Sequence, residues 1–399
     1  MASGARPRKV AMFTGNRSEY GLQFPILRAL AADARLDYYL LVGGAHLRED
    51  FGSTAAEIEA DGFRVHSEVR TPVRPASRAY TAQSIADVVA SVSCILSQLA
   101  PDLMLTYGDR FESFAAMIAS TQMNVPTAHV EGGDYTEGGA LDDSVRHAMT
   151  KLAHLHFTTN AQATERVLRL GEEPWRVFTV GFPTLDLARE GLFAQPQELV
   201  AEFGLDRARP VILFCQHSIA TEPEGTLDQI QPSLAALAEL AGDGFQIIIT
   251  YPNNDAAAEA IIGELRKLEG RRLRGIHVVK SLGRQRFHGI LHLMGRVGRG
   301  VLVGNSSAGI KETPAFGCPC VNIGSRQRGR LRAANVIDTG YDAWEIVAAV
   351  RRSVGDEPFR ALCRTCDNPY GAGDAGKRIA DLLATVPINA ALLQKKMTY

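Results

Sequence analysis

The segment Gly304-Asn305-Ser306-Ser307-Ala308-Gly309 follows an apolar run and opens a helical pattern over 308–316. A helix start offers unpaired N–H groups and the positive end of a dipole, so it can hold phosphate without net basic charge, and two hydroxyls add donors. Glu312 lies five residues beyond Ser307, about 7.5 Å along a helix axis at about 1.5 Å per residue. That step suits a carboxylate accepting from the ribose hydroxyls of a nucleotide whose diphosphate sits at Ser306 and Ser307. Taken alone, a plain N-cap at Ser306 and a solvated Glu312 explain the same residues equally well.

Gly108-Asp109-Arg110 ends the apolar run 103–107, and Glu131-Gly132-Gly133-Asp134 ends the run 127–130. Asp142-Asp143 opens a helical pattern over 144–155, with Asp143 and His147 on one face. Carboxylates converging from separate strand ends suit acid/base work, although an Asp at a helix start is also an ordinary cap. Gln216-His217-Ser218 follows the run 211–215. Gly15-Asn16-Arg17-Ser18-Glu19-Tyr20 follows the run 10–14 and lacks the G-x-G-x-x-G spacing of a dinucleotide loop, while Arg17 could clamp a diphosphate. Arg326-Gln327-Arg328-Gly329-Arg330 forms a basic loop, and no set of residues stands at metal-ligand spacing.

The elements that must position these groups read as short apolar runs alternating with amphipathic segments. Strands are expected at 10–14, 38–42, 103–107, 127–130, 156–158 and 177–180, then at 211–215, 245–250, 277–279, 301–303 and 320–323. Helical patterns at 20–32, 84–99, 111–121, 227–240 and 256–268 lie between them. Strands alternating with helices imply βαβ units, and nearly continuous apolar strands imply parallel sheets covered on both faces. The rhythm breaks near 185–205, which places a domain boundary there. Two doubly wound halves, each with a strand ending in Gly-Asn, would make a cleft at their strand C-termini.

Composition narrows the function. The chain has 399 residues, 46% apolar and 22% charged, with Lys+Arg 43 against Asp+Glu 44. A net charge of -1 gives no support to nucleic-acid binding. Six cysteines are no disulfide framework; Cys94 and Cys215 read as buried, Cys363 and Cys366 as surface thiols on a helix. No apolar run approaches the roughly 18 residues of a membrane span, so a cytoplasmic protein is expected.

In order along the chain come Gly15-Asn16-Arg17-Ser18-Glu19-Tyr20-Gly21, Gly108-Asp109-Arg110-Phe111-Glu112, Glu131-Gly132-Gly133 and Asp142-Asp143-Ser144-Val145-Arg146-His147-Ala148. Gln216-His217, Tyr251-Pro252-Asn253-Asn254-Asp255, Gly304-Asn305-Ser306-Ser307 and the 326–330 loop follow. This succession resembles the hydrolysing UDP-N-acetylglucosamine 2-epimerase family, most closely the sialic- and legionaminic-acid pathway branch that includes the epimerase half of the animal bifunctional enzyme. The resemblance implies an α/β GT-B fold of two Rossmann-like doubly wound domains with an interdomain cleft: 1–190, 191–368, and a helix and tail at 369–399 returning to the first domain. It implies elimination of UDP from UDP-GlcNAc and hydration of the glycal to ManNAc, with no cofactor, no metal, and a homodimer or homotetramer. Carried over by position, Asp109, Glu131, Asp142 and His217 match catalytic residues, with Asp143 an alternative to Asp142. Arg17, Arg110, Arg146, Asn253, Ser306, Ser307, Glu312 and Arg326 match substrate contacts. His217-Ser218-Ile219-Ala220 replaces a frequent His-Pro-Val-Thr, and Asp134 stands where Glu is common, which leaves the sugar open. The same chemistry on a diacetamido sugar, a GDP-sugar or a secondary-metabolite nucleotide, and a GT-B glycosyltransferase, are the rival readings.

Overall fold

A computed structural model describes residues 6–48, 55–72, 79–136, 140–253, 257–271 and 273–399. Asn254, Asp255 and residues 137–139 of the loop after Asp134 lie outside the described residues. The chain divides into two compact units. The first comprises 1–134, 141–186 and 373–399, and the second comprises 135–140 and 187–372.

Among the described residues the first unit has a seven-stranded sheet, all parallel: β1 Arg8–Thr14, β2 Leu36–Gly43, β3 Val65–Val69, β4 Leu103–Tyr107, β5 Thr127–Val130, β6 Leu155–Thr158 and β7 Val177–Thr179. Its order is β3-β2-β1-β4-β5-β6-β7. The second unit has six described parallel strands: β8 Val211–Cys215, β9 Gln246–Thr250, β10 Ile276–Val279, β11 Gly300–Gly304, β12 Cys320–Ile323 and β13 Val336–Thr339. Its order is β10-β9-β8-β11-β12-β13. The strand order reverses between β1 and β4 in one sheet and between β8 and β11 in the other. In open α/β sheets ligands bind outside the carboxyl ends of strands at such reversals. Gly15 to Arg17 and Gly108 to Arg110 follow the first pair; Gln216-His217 and Asn305-Ser306 follow the second.

Helices cover both faces, which the apolar strands require. Along β8, Ile212 and Phe214 enter one core with Ile230 and Leu237, while Val211 and Leu213 enter the opposite core with Leu199 and Ile290. In the first unit Phe13, Leu41 and Met104 pack against Val88, Val92 and Leu96 of the helix Tyr80–Leu99. That helix corrects two expectations. It is long and apolar enough to cross a membrane by length and composition alone, with a mean hydropathy of 1.3 and 28% of the window buried. Its Ala, Val, Ile, Leu and Cys residues raise the average, while interspersed Ser, Gln and Asp break the apolar run. Cys94 is exposed because the helix turns Val88, Val92 and Leu96 inward; Cys363 is buried and Cys366 half-buried, where surface thiols were expected.

The edge strands β3 and β13 were not anticipated. Their exposure alternates or stays partial along the strand, so neither forms an apolar run. The helix expected at 144–155 spans Leu141–Leu152, and Leu155 instead begins β6. Asp142 and Asp143 therefore sit within its first turn. The helix expected at 308–316 is shorter still: Ser307–Lys311 is helical, and a 3-10 turn, Thr313–Phe316, follows with Pro314 in it. Proline lacks the N–H that would continue the α-helical ladder.

Candidate active site

At the carboxyl edge of the first sheet the groups gather around Arg146. Its side chain, 5% exposed, forms an ion pair with Asp109 and donates Nη1–H to the Glu131 carbonyl at 3.1 Å. Burial opposes its charge, but Asp109, Glu131, Asp134 and Asp143 together hold the guanidinium above its ordinary pKa. Glu131 has φ +68°, a left-handed conformation uncommon for a residue with a Cβ. Such strain costs on the order of 1–3 kcal/mol and clusters at functional sites. Asp134 is buried and accepts from Asn160 Nδ2 at 3.3 Å. Tyr107, below Glu131, is fully buried, and burial followed by the Glu131 charge pushes its phenol well above 10.

The two carboxylates of the Leu141–Leu152 helix part company. Asp142 is exposed, whereas Asp143 is buried and electrostatically coupled to Arg146 and His147. Beneath Asp109 lies a histidine that the sequence reading passed over. His129 is fully buried, and its Nε2 lies 2.7 Å from the carbonyl of Gly108. Burial lowers its pKa to about 3, so the ring is neutral at pH 7. Nε2 must then carry the proton given to Gly108, and Nδ1 accepts from the Thr150 hydroxyl at 3.3 Å.

Arg17 and Arg110 are exposed on this edge. Arg17 is held by Glu57 through Nε at 2.9 Å and Nη2 at 2.5 Å, and Arg110 donates to Glu112 at 3.3 Å. Below the Gly15 loop, Glu19 accepts from Gly15 N–H at 2.7 Å and from the Ser113 hydroxyl.

In the second unit a reciprocal clasp joins the loops after β8 and β11. His217 N–H donates to Asn305 Oδ1 at 2.7 Å, and Asn305 Nδ2 donates to the His217 carbonyl at 2.8 Å. The φ of +132° at Gly304 allows this close approach; a Cβ there would lie 2.1 Å from the Cys215 carbonyl oxygen. Asn253 N–H donates to His217 Nδ1 at 3.0 Å, leaving the ring proton on Nε2, 3.4 Å from Cys215 Sγ. Burial and then the Arg326 charge lower the His217 pKa to about 3. It can therefore act as a neutral N–H donor at pH 7 but not as a cation. Arg326 and Gln327 donate to the Asn305 carbonyl at 3.3 and 2.8 Å.

Ser306 caps the short helix Ser307–Lys311, accepting from Ala308 N–H at 3.4 Å. A helix of this length has little macrodipole, so the case for phosphate here rests on the N–H groups and the two hydroxyls. Glu312 lies at the break after the helix, not within it, and its carboxylate meets His288 Nε2. His288 is buried against Phe316, ring centroids 5.2 Å apart. It is the second histidine that the sequence reading missed; its only sequence signal is a polar residue in the buried 288–291 stretch of its helix.

A family model described as UDP-N-acetylglucosamine 2-epimerase matches residues 28–384. The chain belongs to this family. It is 31% identical to a hydrolysing UDP-N,N'-diacetylbacillosamine 2-epimerase from Legionella pneumophila, over 98% of this chain and 100% of the relative. It is 27% identical to a UDP-N-acetylglucosamine 2-epimerase from Neisseria meningitidis, over 92% of each. The crystal structure of UDP-GlcNAc 2-epimerase from Neisseria meningitidis bound to UDP-GlcNAc matches with a TM-score of 0.78 at 18% identity, covering 94% of this chain and 99% of that one. The fold is thus the GT-B pairing of two Rossmann-like units.

Proposed function

We propose that this chain is a hydrolysing 2-epimerase of a UDP-activated 2-acetamido sugar. The carrying observation is the set of carboxylates Asp109, Glu131 and Asp143 gathered around Arg146 at the reversal point of a parallel sheet. In the reaction a carboxylate takes the C2 proton, its electron pair forms the C1–C2 double bond, and the C1–O bond to UDP breaks. Water then adds its oxygen to C1 while a proton returns to C2 on the opposite face. Asp109 and Glu131 serve as the proton-transfer pair. Asp143 takes the role first allotted to Asp142, because the buried carboxylate and not the exposed one faces Arg146. His217 donates through Nε2–H. Ser306, Ser307 and Arg326 contact the diphosphate, Glu312 the ribose, and Arg17, Arg110, Arg146 and Asn253 complete the substrate contacts.

UDP-GlcNAc is the simplest substrate of this kind, giving ManNAc and UDP. The Legionella relative, aligned over 98% of this chain, favours a second reading in which the sugar is a diacetamido one. A panel of UDP- and GDP-amino sugars, incubated without any acceptor, tests both. Release of UDP together with a free 2-epimer is expected from at least one 2-acetamido sugar. Release only when an acceptor is added would identify a glycosyltransferase instead.

A further inference from the structure

The helix Leu141–Leu152 carries Asp143 and Arg146 near its start, and its other end is gripped by the C-terminal segment of the chain. Lys395 Nζ donates to the carbonyls of Thr150 at 3.4 Å, Lys151 and Ala153 at 2.9 Å. These are carbonyls of the final helical turn and just beyond it, which lack helical partners and form the negative end of the dipole. The same ammonium pairs with Glu172 at 2.9 Å, whose side chain is fully buried and also meets Lys151 and His156 at 2.7 and 2.9 Å. The tail is fixed on both sides of Lys395. Arg176, fully buried, donates to the carbonyls of Ala391 and Leu392 at 2.6 and 2.7 Å, and Thr398 N–H donates to the Gly171 carbonyl at 3.2 Å.

From the gripped end a continuous chain of contacts runs to the carboxylates. Thr150, whose carbonyl Lys395 holds, shares its single hydroxyl proton between the Arg146 carbonyl at 3.0 Å and His129 Nδ1 at 3.3 Å. His129 in turn holds the carbonyl of Gly108, the residue before Asp109, and Arg146 pairs with Asp109. We propose that the C-terminal segment is a latch, with Lys395 as its key, that sets the position of Asp109 and Arg146 through Thr150 and His129. Lys395, Thr150 and His129 are positioning residues and touch no substrate. The proposal rests on the reading of Asp109 and Arg146 as active-site groups.

The test compares Lys395→Met, Lys395→Arg and Thr150→Val with the wild type, using turnover, UDP affinity and amide hydrogen exchange. A displacement of about 1 Å at a catalytic group can cost on the order of 100-fold, so Lys395→Met and Thr150→Val are expected to lower kcat by about tenfold or more. Affinity for free UDP should stay within about twofold, since Ser306, Ser307, Glu312 and Arg326, assigned to the diphosphate and ribose, lie in the other unit. Lys395→Arg, which keeps the cation, should retain most of the turnover. Exchange should quicken at 105–112 and 141–152 in Lys395→Met, and in Thr150→Val it should quicken there while 390–399 stays protected. Faster exchange confined to the tail, or undiminished kcat in both weakened variants, would overturn the latch. A wild type that releases nucleotide from no sugar in the panel would defeat the functional reading alone, because the exchange pattern would still decide the latch.

Discussion

Arg146 is the centre of the proposed site in the first unit, because it ties Asp109 to the Glu131 peptide and lies beside Asp143. Asp109→Asn and Glu131→Gln keep the shape of these side chains and remove their ability to take a proton. Loss of a proton-transfer group costs about 10²–10⁴-fold in rate. Turnover of either variant should fall by that order, with UDP affinity measured by calorimetry nearly unchanged. Activity within threefold of wild type in either variant would remove that residue from the proposed pair. Asp142→Asn and Asp143→Asn separate the neighbours: only the buried Asp143 should show a loss of about 100-fold or more under the same proton-transfer argument. Loss confined to Asp142→Asn would return the role to the exposed position first read from the sequence.

The switch points were legible among the elements because each is a buried apolar strand followed by polar residues, in β1, β4 and β11 directly after a glycine, and that pattern is local. The edge strands β3 and β13 were not, since a strand with partly exposed faces carries no apolar run. Partners were illegible for a different reason: Glu312 meets His288 at a separation of 24 residues, Arg17 meets Glu57 at 40, and Lys395 meets Thr150 at 245. Only the tertiary fold brings such groups together. Glu19 shows the consequence. It belongs to the first turn of the helix Arg17–Ala32, where a carboxylate is unremarkable in sequence. In the fold it is buried beneath Gly15, and burial, opposed by hydrogen bonds from Ser113 and Gly15, raises its pKa from 4.5 to about 7. Glu112 beside it adds to the rise and Arg110 reduces it. A carboxyl with a raised native pKa binds its proton more tightly when folded. Its contribution to stability is full below 4.5 and is lost as pH rises through about 7. The loss is on the order of 3 kcal/mol for a shift of this size. The buried neutral His129 and His217 change stability in the opposite sense below pH 6.5, so the Glu19 effect is read as a difference: between pH 5 and pH 8 the melting temperature of the wild type should fall relative to that of Glu19→Gln, which cannot ionise. An equal slope in the variant would show that another group governs it.

Three segments of the chain make up the first unit, and the last of them is fixed by a close backbone contact. Asp186 accepts from Ala375 N–H at 2.9 Å and Gly376 N–H at 2.8 Å, so one carboxylate caps the helix Ala375–Thr385. That helix packs on Arg17–Ala32 at Gly376, where a Cβ would lie 2.6 Å from the Pro25 carbonyl oxygen. Gly376→Ala must push two helices apart. Such overpacking costs about 1–3 kcal/mol, so the melting temperature should drop in calorimetry while UDP affinity stays unchanged. No drop would mean the helices yield freely. The reaction itself examines the molecule entire, because the groups proposed for proton transfer and those proposed for the nucleotide belong to different units. Elimination removes the hydrogen from C2 next to the acetamido group, and hydration must replace it. A carboxylate exchanges its proton with water faster than most turnovers, so product formed in heavy water should carry deuterium at C2. The new anomeric hydroxyl comes from water and not from the departing UDP, so oxygen-18 water should label C1. A transferase or a simple glycosyl hydrolase would leave the C2 hydrogen in place. Proton NMR and mass spectrometry of the product read both labels, and retention of the original C2 hydrogen would rule out the elimination route and the role given to Asp109 and Glu131.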